Sequence, residues 1–192
     1  MKKSCTMMLA ILGLAATARA ESMTIATFDD PSVGADAPLF TFNGANRMLS
    51  GGWSIPGLTL ETVSGTFNNV RFTMPPVFVD GANQADPGEI TFRNASNQVI
   101  FRVNFDSAQL SVTGLGATEF LATNNVMFTG SILPAPVFAE SFSFGFANQT
   151  ALPNGGFTAT ASFTSSAEII PEPATAMLII VGGLGALYRR RI

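Results

Sequence analysis

Aromatic residues spaced two apart constrain this chain more than any other feature. Phe142, Phe144 and Phe146 alternate with Ser141, Ser143 and Gly145, and Phe157, Ala159, Ala161 and Phe163 alternate with Thr158, Thr160, Ser162 and Thr164. Successive side chains of an extended strand point to opposite faces, so this period gathers the rings on one side and the hydroxyls on the other. A helix would scatter the same rings around its circumference. Pro153-Asn154-Gly155-Gly156 between the two runs is turn chemistry, and the pair is expected to form a hairpin. Val99, Phe101, Val103 and Phe105 repeat the pattern against Ile100, Arg102, Asn104 and Asp106. Ile90 and Phe92 precede them across Asn94-Ala95-Ser96-Asn97, which predicts a second hairpin.

Weaker alternation predicts further strands over residues 23–28, 39–43, 58–63, 69–74, 109–113, 119–123 and 126–130. About ten short strands divided by Gly, Pro, Asn and Asp turns imply an all-β fold, an antiparallel β-sandwich of jelly-roll-like type over residues 21–170. Residues 164–170 are expected to be a short link whose end stays paired or extended. All 17 phenylalanines lie in this body. Each buries on the order of 150 to 250 Å², so the rings are expected to replace cross-links as the source of stability.

The two ends follow different rules. Lys2 and Lys3 precede an apolar stretch over residues 7–16, and Ala18 and Ala20 supply small residues at −3 and −1 of a cleavage site. This predicts a helical secretory signal peptide over residues 1–20, passage through the Sec translocon, and Glu21 as the first mature residue. The only cysteine, Cys5, leaves with it, and the mature chain then has no thiol, no histidine and no lysine in its body. At the other end Pro171, Glu172 and Pro173 form an extended elbow. The 15 uncharged residues 174–188 follow, then Arg189, Arg190 and Arg191. At 1.5 Å per residue the uncharged run spans roughly 22 Å as a helix, a thin transmembrane segment, and the arginines match a cytoplasmic stop-transfer signal.

This three-part tail resembles the PEP-CTERM sorting signal, the Gram-negative tail read by a membrane protease of the exosortase family. The resemblance covers residues 171–192: Pro171, Glu172 and Pro173 match the recognition motif, residues 174–188 the hydrophobic segment, and Arg189 to Arg191 the basic end. It implies export across the inner membrane, transient anchoring there, cleavage at or near the motif, and delivery to the cell surface or an exopolysaccharide matrix.

Composition narrows what the body does. Twelve acidic residues against four arginines (Arg47, Arg71, Arg93 and Arg102) leave residues 21–170 at −8. Clustered cations are what nucleic acid requires, so nucleic acid is not an expected partner. The missing histidine and lysine remove Ser-His-Asp and Ser-Lys chemistry, and with no thiolate and no imidazole zinc is not expected. Paired carboxylates across a cleft remain open to glycan hydrolysis in principle, against the blander reading of acids as solvated turn residues. No cofactor is expected, with calcium as the one alternative: Asp80, Asn83, Asp86 and Glu89 offer oxygens in one loop, and Asp29, Asp30 and Asp36 in another. Neither loop follows the EF-hand spacing, and ordinary turn chemistry accounts for the same residues. Trp53, in the Gly51-Gly52-Trp53-Ser54 stretch read as a flexible turn, is a candidate platform for stacking on sugar. Asn94-Ala95-Ser96 and Asn148-Gln149-Thr150 fit the glycosylation sequon, which in a bacterial chain reads as coincidence.

These observations favour a non-enzymatic surface or matrix protein. A carbohydrate-binding module acting on exopolysaccharide is the alternative, and a glycan hydrolase the second. The isolated body, residues 21–170, should fold as a β-rich monomer under reducing conditions. A far-UV circular dichroism spectrum dominated by helix would refute the period-two reading.

Overall fold

The computed structural model describes residues 21–32, 37–113, 116–133, 136–153 and 155–169. The expected signal helix and the sorting tail lie outside these residues. Among the described residues the structure is all β, with no helix. The strands are β1 (Glu21–Phe28), β2 (Phe40–Asn43), β3 (Met48–Trp53), β4 (Leu60–Thr62), β5 (Gly65–Phe67), β6 (Arg71–Phe78), β7 (Gln84–Ala85), β8 (Gly88–Arg93), β9 (Val99–Phe105), β10 (Ala108–Thr113), β11 (Gly116–Ala122), β12 (Val126–Thr129), β13 (Phe138–Ala151) and β14 (Phe157–Ile169).

All belong to one sheet, whose path runs β12-β9-β8-β6-β3-β2-β14-β13-β11-β10-β7, with β1 joined to β14 and β4, and β5 to β4. Every neighbouring pair along the path is antiparallel. The sheet curls until its distant parts meet. Phe105 on β9 packs on Phe120 of β11 and Phe142 of β13, at centroid distances of 5.8 and 5.4 Å. Phe92 of β8 packs on Phe163 of β14 at 5.0 Å. The rings that alternation puts on one face are thus the rings that close the sheet on itself.

Both predicted hairpins form. β8 and β9 pair through Ile90↔Val103 and Phe92↔Phe101. Their turn is fixed by Asn94, whose Oδ1 accepts the Gln98 amide at 2.9 Å, with Asn97 at a φ of 62°. β13 and β14 form a far longer hairpin than the sequence implies, from Phe138↔Glu168 to Ala151↔Phe157. At its turn a Cβ on Gly156 would stand 1.9 Å from the Phe42 carbonyl oxygen, so only glycine fits.

Three expectations need correction. Ile100, placed on the outward face by strict alternation, is buried, because the β8–β9 register shifts between Phe92 and Arg93 and a bulge turns one extra residue inward. Thr160 is buried as well, its hydroxyl reached by Asn148 Nδ2 at 3.1 Å from the irregular stretch between Ala147 and Thr150. The link assigned to residues 164–170 is strand as far as Ile169. Ser165 and Ala167 there are buried, and Ser165 binds β1 through both Ala26 N–H to Oγ and Oγ–H to Ala26 O, each 3.1 Å.

Phe144→Ala removes a ring in contact with Phe28, Phe40, Phe72, Phe142 and Phe163. It should lower stability by about 3 to 5 kcal/mol. Ser165→Ala leaves a buried amide and carbonyl of Ala26 without their partner and should lose about 1 to 3 kcal/mol. Urea denaturation midpoints test both, and a Ser165→Ala midpoint equal to the parent's would remove the hydroxyl from the account of β1 docking.

Candidate functional site

The loop holding Asp80, Asn83, Asp86 and Glu89 follows β6 and is organised by its own backbone and by one arginine. Asp80 Oδ1 accepts the amides of Ala82 and Gln84, both at 2.8 Å, an Asx turn that closes the loop on itself. Asn83 takes a φ of 62°, donates its amide to Asp80 O at 3.0 Å and accepts the Leu110 amide at 2.8 Å. Gln109 Nε2 adds a bond to Asn83 O at 3.1 Å, so the loop is docked on β10.

Arg47, in the β2–β3 turn, reaches across to the same loop. Its Nε donates to Val79 O at 2.6 Å and its Nη2 to Asp80 O, with the same nitrogen 3.5 Å from Asn83 Oδ1. The guanidinium therefore holds loop oxygens of the kind expected to face calcium. Asp86 lies beyond the turn, where its amide donates to Phe78 O at 2.9 Å. Glu89 belongs to β8: its Oε1 accepts from Thr91 Oγ1 at 2.5 Å, and its Oε2 lies 3.5 Å from Arg102 Nη1 in an exposed ion pair. The structure joins Asp80 and Asn83 in one network and gives Glu89 other partners. Among the described residues no three His, Cys, Asp or Glu side chains gather as a metal would need.

The other acidic stretch lines an open cleft. Asp29, Asp30 and Pro31 at the end of β1 face Gly57, Thr59 and Glu61 beside β4, with Thr27 and Phe28 completing a hollow of about 210 Å³. Asp30 Oδ1 accepts from the Ser32 amide at 2.9 Å and its hydroxyl at 2.7 Å. Asp36 lies outside the described residues. Glu61 is the member of this group that the sequence did not single out, since β4 is short and its pairing to β1 through Thr27↔Glu61 is long-range. A second hollow of about 150 Å³, at the β7–β10–β11 edge, is lined by Gln84, Gln109, Thr123 and Asn124 among others. It holds no charged or aromatic residue, so no sequence signal marks it.

Trp53 ends β3 opposite Phe72 and belongs to the core, 7 % exposed, with its indole N–H unpartnered. It presents no open face for a sugar ring. The glycines before it serve close approach rather than flexibility: the Phe40 ring lies where a Cβ on Gly51 would be, 2.4 Å away. Of the sequon asparagines, Asn94 fixes a turn and Asn148 a bulge. Ala18, Ala20, Pro171, Glu172, Pro173, Arg189, Arg190 and Arg191 lie outside the described residues. No protein-family signature, curated protein or solved structure matches this chain.

Arg47→Ala should loosen the loop by about 1 to 3 kcal/mol, because hydrogen bonds from a charged donor to the carbonyls are lost. Arg47→Lys should recover only part of this, since one ammonium nitrogen lacks the rigid fork by which Nε and Nη2 meet the two carbonyls separately. Amide hydrogen exchange at Ala82 to Gln84 checks it; unchanged protection in Arg47→Ala would remove the arginine from the loop's support.

Proposed function

We propose that this chain is an exported protein of the cell surface or extracellular matrix, anchored transiently in the inner membrane and released by an exosortase-like protease, and that its body acts by structure or interaction without catalysis. The observation that carries this reading is the order of Pro171-Glu172-Pro173, the uncharged run 174–188 and Arg189-Arg190-Arg191 at one end of the sequence. The described strands from β1 to β14 all fall within residues 21–170, the expected body.

The non-enzymatic part is supported by how the acids are engaged. Asp30 and Asp80 close turns, Glu89 bonds Thr91 and Arg102, and Glu119 accepts from Ser143 at 2.6 Å. The facing of β9 with β11 and β13 supports reading the curled sheet as a jelly-roll-like sandwich.

The cleft of Asp29, Asp30 and Glu61 favours a second reading, a carbohydrate-binding body acting on exopolysaccharide, because carboxylates and the threonine hydroxyls of Thr27 and Thr59 are acceptors suited to sugar hydroxyls. A glycan array probed with residues 21–170, beside Asp29→Asn and Glu61→Gln variants, separates the two. Release of reducing ends during that assay would point instead to a glycan hydrolase.

Replacing Pro171 and Pro173 by alanine should let helix extend upstream through the elbow, since alanine is the best helix former and proline the worst. The precursor should then accumulate in the membrane fraction at its larger mass on immunoblots. Deleting Arg189 to Arg191 should act earlier and lose retention. Processing of the double alanine variant at the parental rate would reduce the tail to a plain anchor.

A further inference from the structure

The direction of β1 against β14 fixes where the chain leaves the body. Ala26 exchanges hydrogen bonds with Ser165, and Thr27, one residue on, donates from Oγ1 to Phe163 O at 2.7 Å and lies 3.4 Å from Thr164 Oγ1. The two strands are therefore antiparallel, and the first residues of β1 share an end of the sheet with the last residues of β14. The start of β13 joins them, because Phe138 stands opposite Glu168.

Phe138 is 50 % exposed at that end. Its ladder is interrupted between Phe138 and Ser141, where Ala139 takes a φ of 48°, a left-handed conformation that alanine seldom adopts. A bulge of this kind re-aims its neighbours. Met23 and Ile169, both half-buried, belong to the same end.

Four residues, 170–173, separate Ile169 from the uncharged run. Five extended steps reach about 17 Å at most. The headgroup layer of one leaflet is on the order of 5 to 8 Å deep, so with residues 174–188 in the bilayer Ile169 lies at most about two to three such layers from hydrocarbon. Charge does not draw it there, since Glu140 and Glu168 flank Phe138. The tether does: it raises the local concentration of bilayer without any new contact.

We propose that this end of the body rests on the lipid surface of the membrane while the chain is anchored, with Phe138 as its contact residue. The inference rests on residues 174–188 being a membrane segment. The opposite end supplies an internal comparison. Phe78 is 42 % exposed and follows Val77, which pairs with Leu49, as Leu49 pairs with Phe42 and Phe42 with Phe157 at the start of β14. β14 spans 13 residues, which at ~3.3 Å per step separates its ends by about 40 Å.

The test uses the anchored chain, recovered from membranes of producing cells and reconstituted in phosphatidylcholine vesicles with brominated acyl chains. The parent emits from Trp53 alone, which is buried and should not be quenched. Phe138→Trp should add emission that the bromine quenches, and Phe78→Trp should add emission that it does not. An unquenched Phe138→Trp, or equal quenching of the two, overturns the proposal. Should Phe138→Trp lack the parental β spectrum, Phe138→Cys carrying a polarity-sensitive dye takes its place, with a blue shift on the vesicles expected and no shift overturning the contact. Parent chain that washes off the vesicles in alkaline carbonate refutes the membrane reading of the tail itself, a failure that this wash shows separately from any quenching.

Discussion

The contact on which the rest depends is the cluster of phenyl rings drawn from strands far apart along one hydrogen-bonded path. Phe28 touches Phe72, Phe92, Phe144 and Phe163, and Phe144 touches Phe40, Phe72, Phe142 and Phe163 in turn. These rings come from β1, β2, β6, β8, β13 and β14, which the backbone ladders alone would leave spread over a wide surface. Offset and edge-to-face packing stabilises each pair beyond its buried area, by about 0.5 to 1.5 kcal/mol. With Cys5 as its single cysteine the chain forms no internal disulfide, so nothing covalent helps. Small residues on the same strands make room: Ala159 and Ala161 are fully buried between Phe157 and Phe163.

So tight a curl requires sharp, well-defined turns, and asparagine supplies most of them. Asn69, Asn83, Asn97, Asn125 and Asn148 all take positive φ between 47° and 62°. Asparagine tolerates this conformation and adds a side chain that bonds the local backbone, which glycine does not. Asn69 shows the second property at work, its Oδ1 accepting the Gly57 amide at 3.1 Å. At some turns only glycine fits, as at Gly130, where φ is 139° and a Cβ would stand 2.3 Å from Ile100 O. This division explains why turns in an acidic body contain so many neutral polar residues.

Where burial followed period two, the sequence was a good guide: β8, β9, β13 and β14 could be placed from Phe and Val spacing, and the antiparallel all-β class with them. β3 was hidden because Gly51 and Gly52 resemble a loop until the Phe40 ring and the β6 backbone are seen lying against them. β5 and β7, of three and two residues, are too short to show a period. Ile100 was misplaced because a bulge in its own strand shifts phase by one residue and leaves no compositional mark, whereas Thr160 keeps its phase and is buried where the irregular stretch of β13 brings Asn148 onto its hydroxyl. The acids were visible, but not their partners: Arg47 lies 33 positions from Asp80, and Glu61 meets Asp29 only because β4 pairs with β1.

The place of β14 in the sheet bears on the order of folding as much as on stability. It lies between β2 and β13 and also binds β1, so strands from the beginning, the first quarter and the end of the body converge on the last one to be made. Loop closure over such separations is entropically unfavourable until many contacts form together. As the chain is made from its amino end, β1 and β2 therefore lack their main partner, and the ring cluster lacks Phe144 and Phe163, until the final strands follow. The segment that completes the ring cluster is thus also the one on which the sheet converges, since β1, β2 and β13 all bond to it.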